Sequence, residues 1–379
     1  MTTLLLADFK GAMTYVLYVL VAVLVLLVMI TVHELGHYIV GKIFKFKINE
    51  FSIGFGPAIF KRQREDGEVF AIRLIPLGGY CAFEGEEDDA VKEGDFNSKK
   101  PWQRILVLIA GATMNFLTAI LVVCIFFGAY GCPVYKVVDS EPNSDGKYVA
   151  MQGPLEDGDI ILSIDGKNMY MITDYMSAIE DKSAGDTIKV VVMRDGEKKT
   201  LEFELYSHKL VVDGDGNQEY LPIGDIENIE SISPTVAKLG VGSMQGVSVR
   251  FGFFEMLGRS FEYTFKLGGT IFKVLGQLIT GALGLNAMGG TVSTISMTAT
   301  GVQTYGMSFL LQITALIGVN LAVVNLLPIP SLDGSKVVFT VIEWLRGKPI
   351  NRKVENIIHA VGLVLLLAFA VLVDIQHCF

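Results

Sequence analysis

The sequence predicts a multi-pass α-helical membrane protein of about four transmembrane helices, with a membrane-associated β-hairpin in one loop and an inserted α+β domain outside the membrane. Three observations carry this. From Met13 to Ile30 there is no charged side chain, and only Thr14, Tyr15 and Tyr18 are polar, which is enough apolar length to span a bilayer as a helix. The 379 residues are 51% hydrophobic and only 19% charged, less charge than soluble domains carry. Residues 133–206 then switch to a charged, glycine-punctuated pattern with short β-rich runs, the mark of a soluble insertion.

The first span ends in Thr31-Val32-His33-Glu34-Leu35-Gly36-His37. On a helix His33 and His37 lie four apart and project from one face. Two neutral imidazoles so placed are half of a tetrahedral zinc site, and Glu34 between them can act on a water at that metal. A pair of membrane histidines could also hydrogen-bond between helices, but a Glu between them in hydrocarbon would then serve no purpose. The length of the apolar run and the motif at its end argue against a cleaved signal peptide.

Lys42, Lys45, Lys47, Lys61, Arg62 and Arg64, then Lys99, Lys100 and Arg104, crowd the loop that follows and mark it as cytoplasmic. The N-terminus is thereby outside the cell membrane and the metal motif lies toward the cytoplasmic side. Within this loop Lys47–Phe60 and Glu68–Pro76 alternate as two strands around Glu65-Asp66-Gly67. Gly54, Phe55, Gly56 and Pro57 sit where a strand bends or offers a bare edge to a guest strand. Acidic Glu84–Asp89 reads as a solvated loop. Ile105–Tyr130 is the second span, and Ala110-Gly111-Ala112-Thr113-Met114-Asn115 presents small residues for close helix contact. Asn115 is a buried polar group that either holds helices together or serves the site.

Beyond the soluble insertion, residues 207–250 read as a variable connector. Asp213–Asn217 in it is a hairpin turn and not a calcium loop, since Gln218 and Gly224 stand where Gly and Glu are required. Phe251–Leu283 has apolar residues at helical spacing broken by Arg259, Glu262, Lys266 and Lys273, an amphipathic helix on the membrane surface. Gly289-Gly290-Thr291-Val292 breaks it. Phe309–Leu327 is the third span and runs into Asn325-Leu326-Leu327-Pro328-Ile329-Pro330-Ser331-Leu332-Asp333-Gly334. Prolines cannot continue a helix, and broken backbone at membrane depth survives only beside protein or a polar cavity. Asp333 is therefore the carboxylate the histidine pair lacks. His208, His359 and His377 are weaker third ligands: none is next to broken backbone at that depth. Lys336, Arg346, Lys348, Arg352 and Lys353 place the end of this span on the cytoplasmic side too, and Ile357–Val373 is the fourth span, returning the C-terminus outside.

A formal charge of −9 argues against a nucleic-acid partner. The four cysteines contain no Cys-x-x-Cys pair and form neither a disulfide framework nor a thiolate zinc site. No repeat relates the first two spans to the last two, which disfavours a transporter.

Leu155-Glu156-Asp157-Gly158-Asp159-Ile160-Ile161-Leu162-Ser163-Ile164-Asp165-Gly166 resembles the core signature of PDZ domains, although Asn143–Gly146 and Gly153–Leu155 depart from the usual Ser-Pro-Ala element. The membrane His-Glu-x-x-His, the Gly-x-Gly-Pro after it and the later Asn-x-x-Pro-x-Pro-x-x-Asp-Gly resemble the site-2 protease family, in particular its regulator of sigma-E protease group. That resemblance implies Zn2+ held by His33, His37 and Asp333, Glu34 as general base and Asn325 near the scissile bond. It also implies substrates that are single-span membrane proteins or peptides, of the anti-sigma-factor or signal-peptide-remnant type. The chain then divides into a first half of the membrane core (1–132), a PDZ-like domain (133–206), a connector (207–250) and a second half of the core (251–379). A competing reading is a non-catalytic membrane adaptor whose metal is structural.

Overall fold

The computed structural model describes residues 2–86, 92–138, 153–212, 218–222, 236–239, 243–284 and 289–378. Asn143–Gly146, Asp213–Asn217 and the end of the Glu84–Asp89 run lie outside them. The chain falls into two compact units, Met1–Phe126 with Leu257–Phe379, and Phe127–Met256.

Among the described residues four helices are long and apolar enough to cross a membrane: Met13–Ile43, Pro101–Tyr130, Met307–Asn325 and Arg352–Ile375. The helices that contain them are α1 (Thr2–Ile43), α2 (Pro101–Tyr130), α6 (Met307–Asn325) and α8 (Arg352–Cys378). Val16, Leu17, Leu20 and Leu24 of α1 and Val361, Val364, Leu365 and Leu367 of α8 are exposed, apolar surface that calls for lipid. Where the helices meet, small residues let backbones approach. A Cβ at Gly36 would fall 2.4 Å from the carbonyl oxygen of Ala110, and one at Gly318 2.7 Å from Met29 Cε. Met29 packs with Ile313 and Ile317, tying α1 to α6.

The hairpin forms from β1 (Ile48–Gln63) and β2 (Val69–Phe83), but both strands bend. Glu50–Ile53 pairs on one side with Val69–Ile72 and on the other with Gly79–Ala82. The bend in β1 is at Gly54 and Gly56, both at positive φ, and a Cβ at Gly54 would sit 2.8 Å from the carbonyl oxygen of Ile75. The acidic loop after β2 is not wholly solvated, because Glu86 pairs with Lys336 at 2.6 Å.

Three helices complete the first unit. In α4 (Phe253–Ile279) the amphipathic pattern is inverted relative to a soluble helix: Arg259, Ser260 and Thr264 are buried, while Phe254, Leu257, Phe261 and Phe265 are exposed. Such a face suits a helix with lipid on its outer side. The sequence reading has no helix at α5 (Thr291–Tyr305), whose threonine- and serine-rich TVSTISMTATGVQTY run carries only a thin apolar stripe at Val292, Ile295, Ala299 and Val302. Its threonine hydroxyls are spent on carbonyls one turn back, Thr298 on Thr294 and Thr304 on Thr300. A further helix, α7 (Asp333–Arg346), starts at the broken backbone after α6.

In the second unit the sheet order is β11-β3-β4-β6-β7, with the short β5 (Lys167–Asn168) paired to β4. Here β3 is Cys132–Val138, β4 Ile160–Ile164, β6 Thr187–Arg194, β7 Glu197–Glu204 and β11 Ser243–Val249. With α3 (Ile172–Ile179) it encloses Val137, Ile161, Ile164, Tyr175, Ile188 and Val190. Asp159 is fully buried and paired with Arg194 at 2.7 Å. The stretch treated as a connector is more structured than that word allows. Its β11 pairs with β3 along its whole length, and β8 (Tyr206–Val212), β9 (Gln218–Pro222) and β10 (Val236–Lys238) form a separate small sheet.

Candidate metal centre

His33 and His37 come from one face of α1 where its apolar length ends, and both are buried. Asp333 is the first residue of α7. Its Oδ2 lies 2.9 Å from His33 Nε2 and 3.2 Å from His37 Nε2, and the two Nε2 atoms are 3.1 Å apart. A tetrahedral zinc with bonds of about 2.0–2.1 Å spaces its ligand atoms by roughly 3.3 Å, so the triangle has the size of three corners of such a site.

The outer contacts fix which ring atoms face inward. His37 Nδ1–H donates to the Val107 carbonyl of α2 at 2.8 Å, because a carbonyl can only accept. That leaves its Nε2 a bare lone pair. Behind His33, the Asn115 amide lies 3.4 Å from Nδ1, and Asn115 Oδ1 has no partner as oriented. Exchanging the two ends of that amide lets Oδ1 accept from His33 Nδ1–H, which resolves the orphaned oxygen and turns the Nε2 lone pair inward as well. Two lone pairs and a carboxylate oxygen then converge with no proton between them, an arrangement that a cation completes. The donor set and its supports fit zinc. The His33, His37 and Asp333 group is also the metal-capable cluster found among the described residues.

Gly111 backs this centre. A Cβ there would fall 2.4 Å from His37 Nε2 and 2.8 Å from His33 Nε2. The small residues of α2 thus admit the imidazoles themselves, beyond merely letting two helices touch.

Glu34, Asn115, Asn325 and Asp333 line one cavity of about 240 Å³ with Ile30, His33, Leu321 and Ser331. Glu34 also faces the hairpin: the backbone N–H of Cys81 donates to its carboxylate, and a Cβ at Gly79 would lie 3.6 Å from its Cγ. The strand that reaches the centre is therefore Gly79–Phe83. Gly54, Phe55, Gly56 and Pro57 do not line this cavity; they form the bend of β1.

His359, set aside as a ligand, proves to hold the turn that delivers one. The Ser331 N–H donates to His359 Nδ1 at 2.9 Å. Ser331 is a non-glycine residue at φ 79°, and a Cβ at Gly362, three residues along the same helix, would sit 2.4 Å from Pro330 Cβ. The signal in the sequence is faint, a His and a Gly three apart at the start of an apolar span. His359→Ala is expected to weaken zinc binding by about ten- to hundredfold, as loss of an outer support does. His359→Asn, whose Oδ1 takes the place of Nδ1 as acceptor, is expected to recover most of it. Chelator competition on the purified variants checks both, and equal zinc affinity in wild type and His359→Ala would rule out the positioning role.

The profile of peptidase family M50 matches residues 21–369. A protein of Fusobacterium nucleatum named as a zinc metalloprotease is 31% identical over 94% of this chain and 97% of its own length. The regulator of sigma E protease of Haemophilus influenzae is 29% identical over 92% of this chain and 96% of its own. The zinc metalloprotease RasP of Bacillus licheniformis is 27% identical over 92% and 96%. A solved PDZ domain of an SdrC-like protein from Listeria monocytogenes is 22% identical with a TM-score of 0.16, covering 24% of this chain and 88% of that domain. With a match along nearly its whole length, and with four helices apolar enough to span a bilayer, the chain belongs to peptidase family M50 and is a zinc metalloprotease of the membrane.

Proposed function

We propose that this protease hydrolyses peptide bonds within or near the membrane-spanning segments of single-span proteins or peptides, inside the bilayer of the plasma or inner membrane. The observation that carries the proposal is the position of the centre: His33, Glu34 and His37 lie on an apolar span, and Asp333 reaches them from the broken end of another. The charge rule supports an orientation with both termini and the inserted PDZ-like unit outside and the metal centre toward the cytoplasm.

His33, His37 and Asp333 would hold zinc, which supplies Lewis acidity toward water and toward the substrate carbonyl. Glu34 stands in the same cavity and takes the proton of the attacking water, then delivers it to the leaving amine. Asn325, also on that wall, donates from its amide to the substrate backbone or the developing oxyanion. A helical substrate hides its carbonyls in internal hydrogen bonds and must unwind locally before any of this. The hairpin offers backbone for the unwound segment to pair with, at Gly79–Phe83 beside Glu34 and with Gly54–Pro57 as a further contact.

Glu34→Gln separates this reading from the adaptor. The purified variant is expected to keep its zinc and to cleave a model single-span substrate about 10²- to 10⁴-fold more slowly, the usual worth of a general base. Undiminished cleavage by Glu34→Gln, or none by the wild type that a chelator can abolish, defeats the proposal.

A further inference from the structure

A second concave site lies at the ends of two spans, α2 and α8. It is a cavity of about 760 Å³, walled by the start of α2, the end of α7 and the start of α8. Lys99 ties it to the end of α1, its ammonium donating to the carbonyls of Phe44 and Lys45. The span ends fix its level at the membrane surface.

Five cations line it, Lys99, Arg104, Lys348, Arg352 and Lys353, against the single carboxylate Glu343. Glu343 is already committed: it pairs with Arg104 at 2.8 Å and Arg352 at 2.7 Å and accepts from the Ile350 N–H at 3.0 Å. Arg104 is itself 6% exposed, and its Nε has no acceptor. Among the described residues no carboxylate pairs with the ammonium of Lys348 or Lys353. Arg352 also pairs with Glu355, so the wall with its paired carboxylates carries a net charge near +3 (five minus two), together with the positive end of α8. Beside it Trp344 and Leu345 are 56% and 84% exposed, an amphipathic ring and an apolar side chain of the kind that settle at the headgroup boundary.

We propose that this cavity binds a phosphate-bearing anion, and that its source is the phosphodiester headgroup of an anionic glycerophospholipid. Basic pockets between span ends take such headgroups, and unlike a soluble phosphate a lipid also covers the exposed Trp344 and Leu345. Lys348 and Lys353 meet the phosphate oxygens, while the buried Arg104–Glu343–Arg352 group forms the floor. The site shares no lining residue with the cavity at the metal centre and stands whether or not the hydrolytic reading does.

The test is native mass spectrometry of the full-length protein in detergent, titrated at constant ionic strength with phosphatidylglycerol or phosphatidylcholine. The comparison is wild type against Lys348→Gln/Lys353→Gln, with zinc content as the check on folding. Phosphatidylglycerol is expected to bind at least tenfold tighter than phosphatidylcholine, and the double variant to lose roughly ten- to thirtyfold of that affinity, the share of two surface lysines. Equal binding of the two lipids, or an unchanged double variant, overturns the site. Displacement of phosphatidylglycerol by millimolar inorganic phosphate overturns the lipid as its source.

Discussion

Gly111→Ala is expected to strip the protein of its metal. In an ordinary helix this exchange is favourable by about 1 kcal/mol, because alanine restricts the unfolded chain and glycine does not. Here the sign reverses. The new methyl would stand 2.4 Å from His37 Nε2 and 2.8 Å from His33 Nε2, two of the three atoms proposed to hold zinc. Parting the helices would forfeit the close packing one residue away, where a Cβ on Gly36 would fall 2.4 Å from the Ala110 carbonyl oxygen. The imidazoles must therefore rotate out of register with Asp333. Zinc affinity is expected to fall by about hundredfold or more, and cleavage with it, while the helical signal in circular dichroism stays near that of wild type. A variant that holds zinc as tightly as its parent would show that α2 has room to give, and the close packing argument would fail.

The second large effect concerns stability. Glu343 is buried between two arginines, and its carboxyl is held below the usual carboxylate range. Burial pushes the other way, but the Ile350 N–H and the guanidiniums of Arg104 and Arg352 outweigh it. Glu343→Ala leaves the buried Arg104 without its anion and Arg352 with Glu355 alone. Removing one partner of a buried pair costs about 3–5 kcal/mol, far more than the pair itself contributes over an apolar replacement. A large drop in melting temperature in detergent is the expected result, and a melting curve that overlays the wild type would refute it. The pH dependence carries the sign of a depressed acid. Its contribution is complete above the ordinary value of 4.5 and is lost as pH falls through the lower folded-state value.

The parts that could be read from residue order alone are those where chemistry forbids alternatives. Charge-free runs have few uses outside a bilayer, and His33 and His37 on one such run and Asp333 after two prolines on another do meet, within 3.2 Å of one another. The hairpin was legible because Glu65-Asp66-Gly67 punctuates two alternating runs. What escaped depends on which surfaces meet. Nothing in Glu50–Ile53 says that it pairs on both sides, since that follows from how far β2 folds back. Helix α5 is rich in threonine and serine, and its thin apolar stripe is too faint for periodicity to mark it. Strand β11 joins a sheet begun a hundred residues earlier, and a sequence pattern records the strand but not its partner. Gly111 was readable as a small residue, and only coordinates reveal that the space it leaves belongs to imidazoles.

His33 and Asp333 are 300 positions apart. At a translation rate of roughly 5–20 residues per second, the first span sits in the membrane for some fifteen seconds to a minute before the ribosome has made the carboxylate. Throughout that interval the nascent chain owns a histidine pair and a base but lacks a complete ligand set. On the proposed ligand set, a growing chain cannot assemble its metal centre until Asp333 has been added.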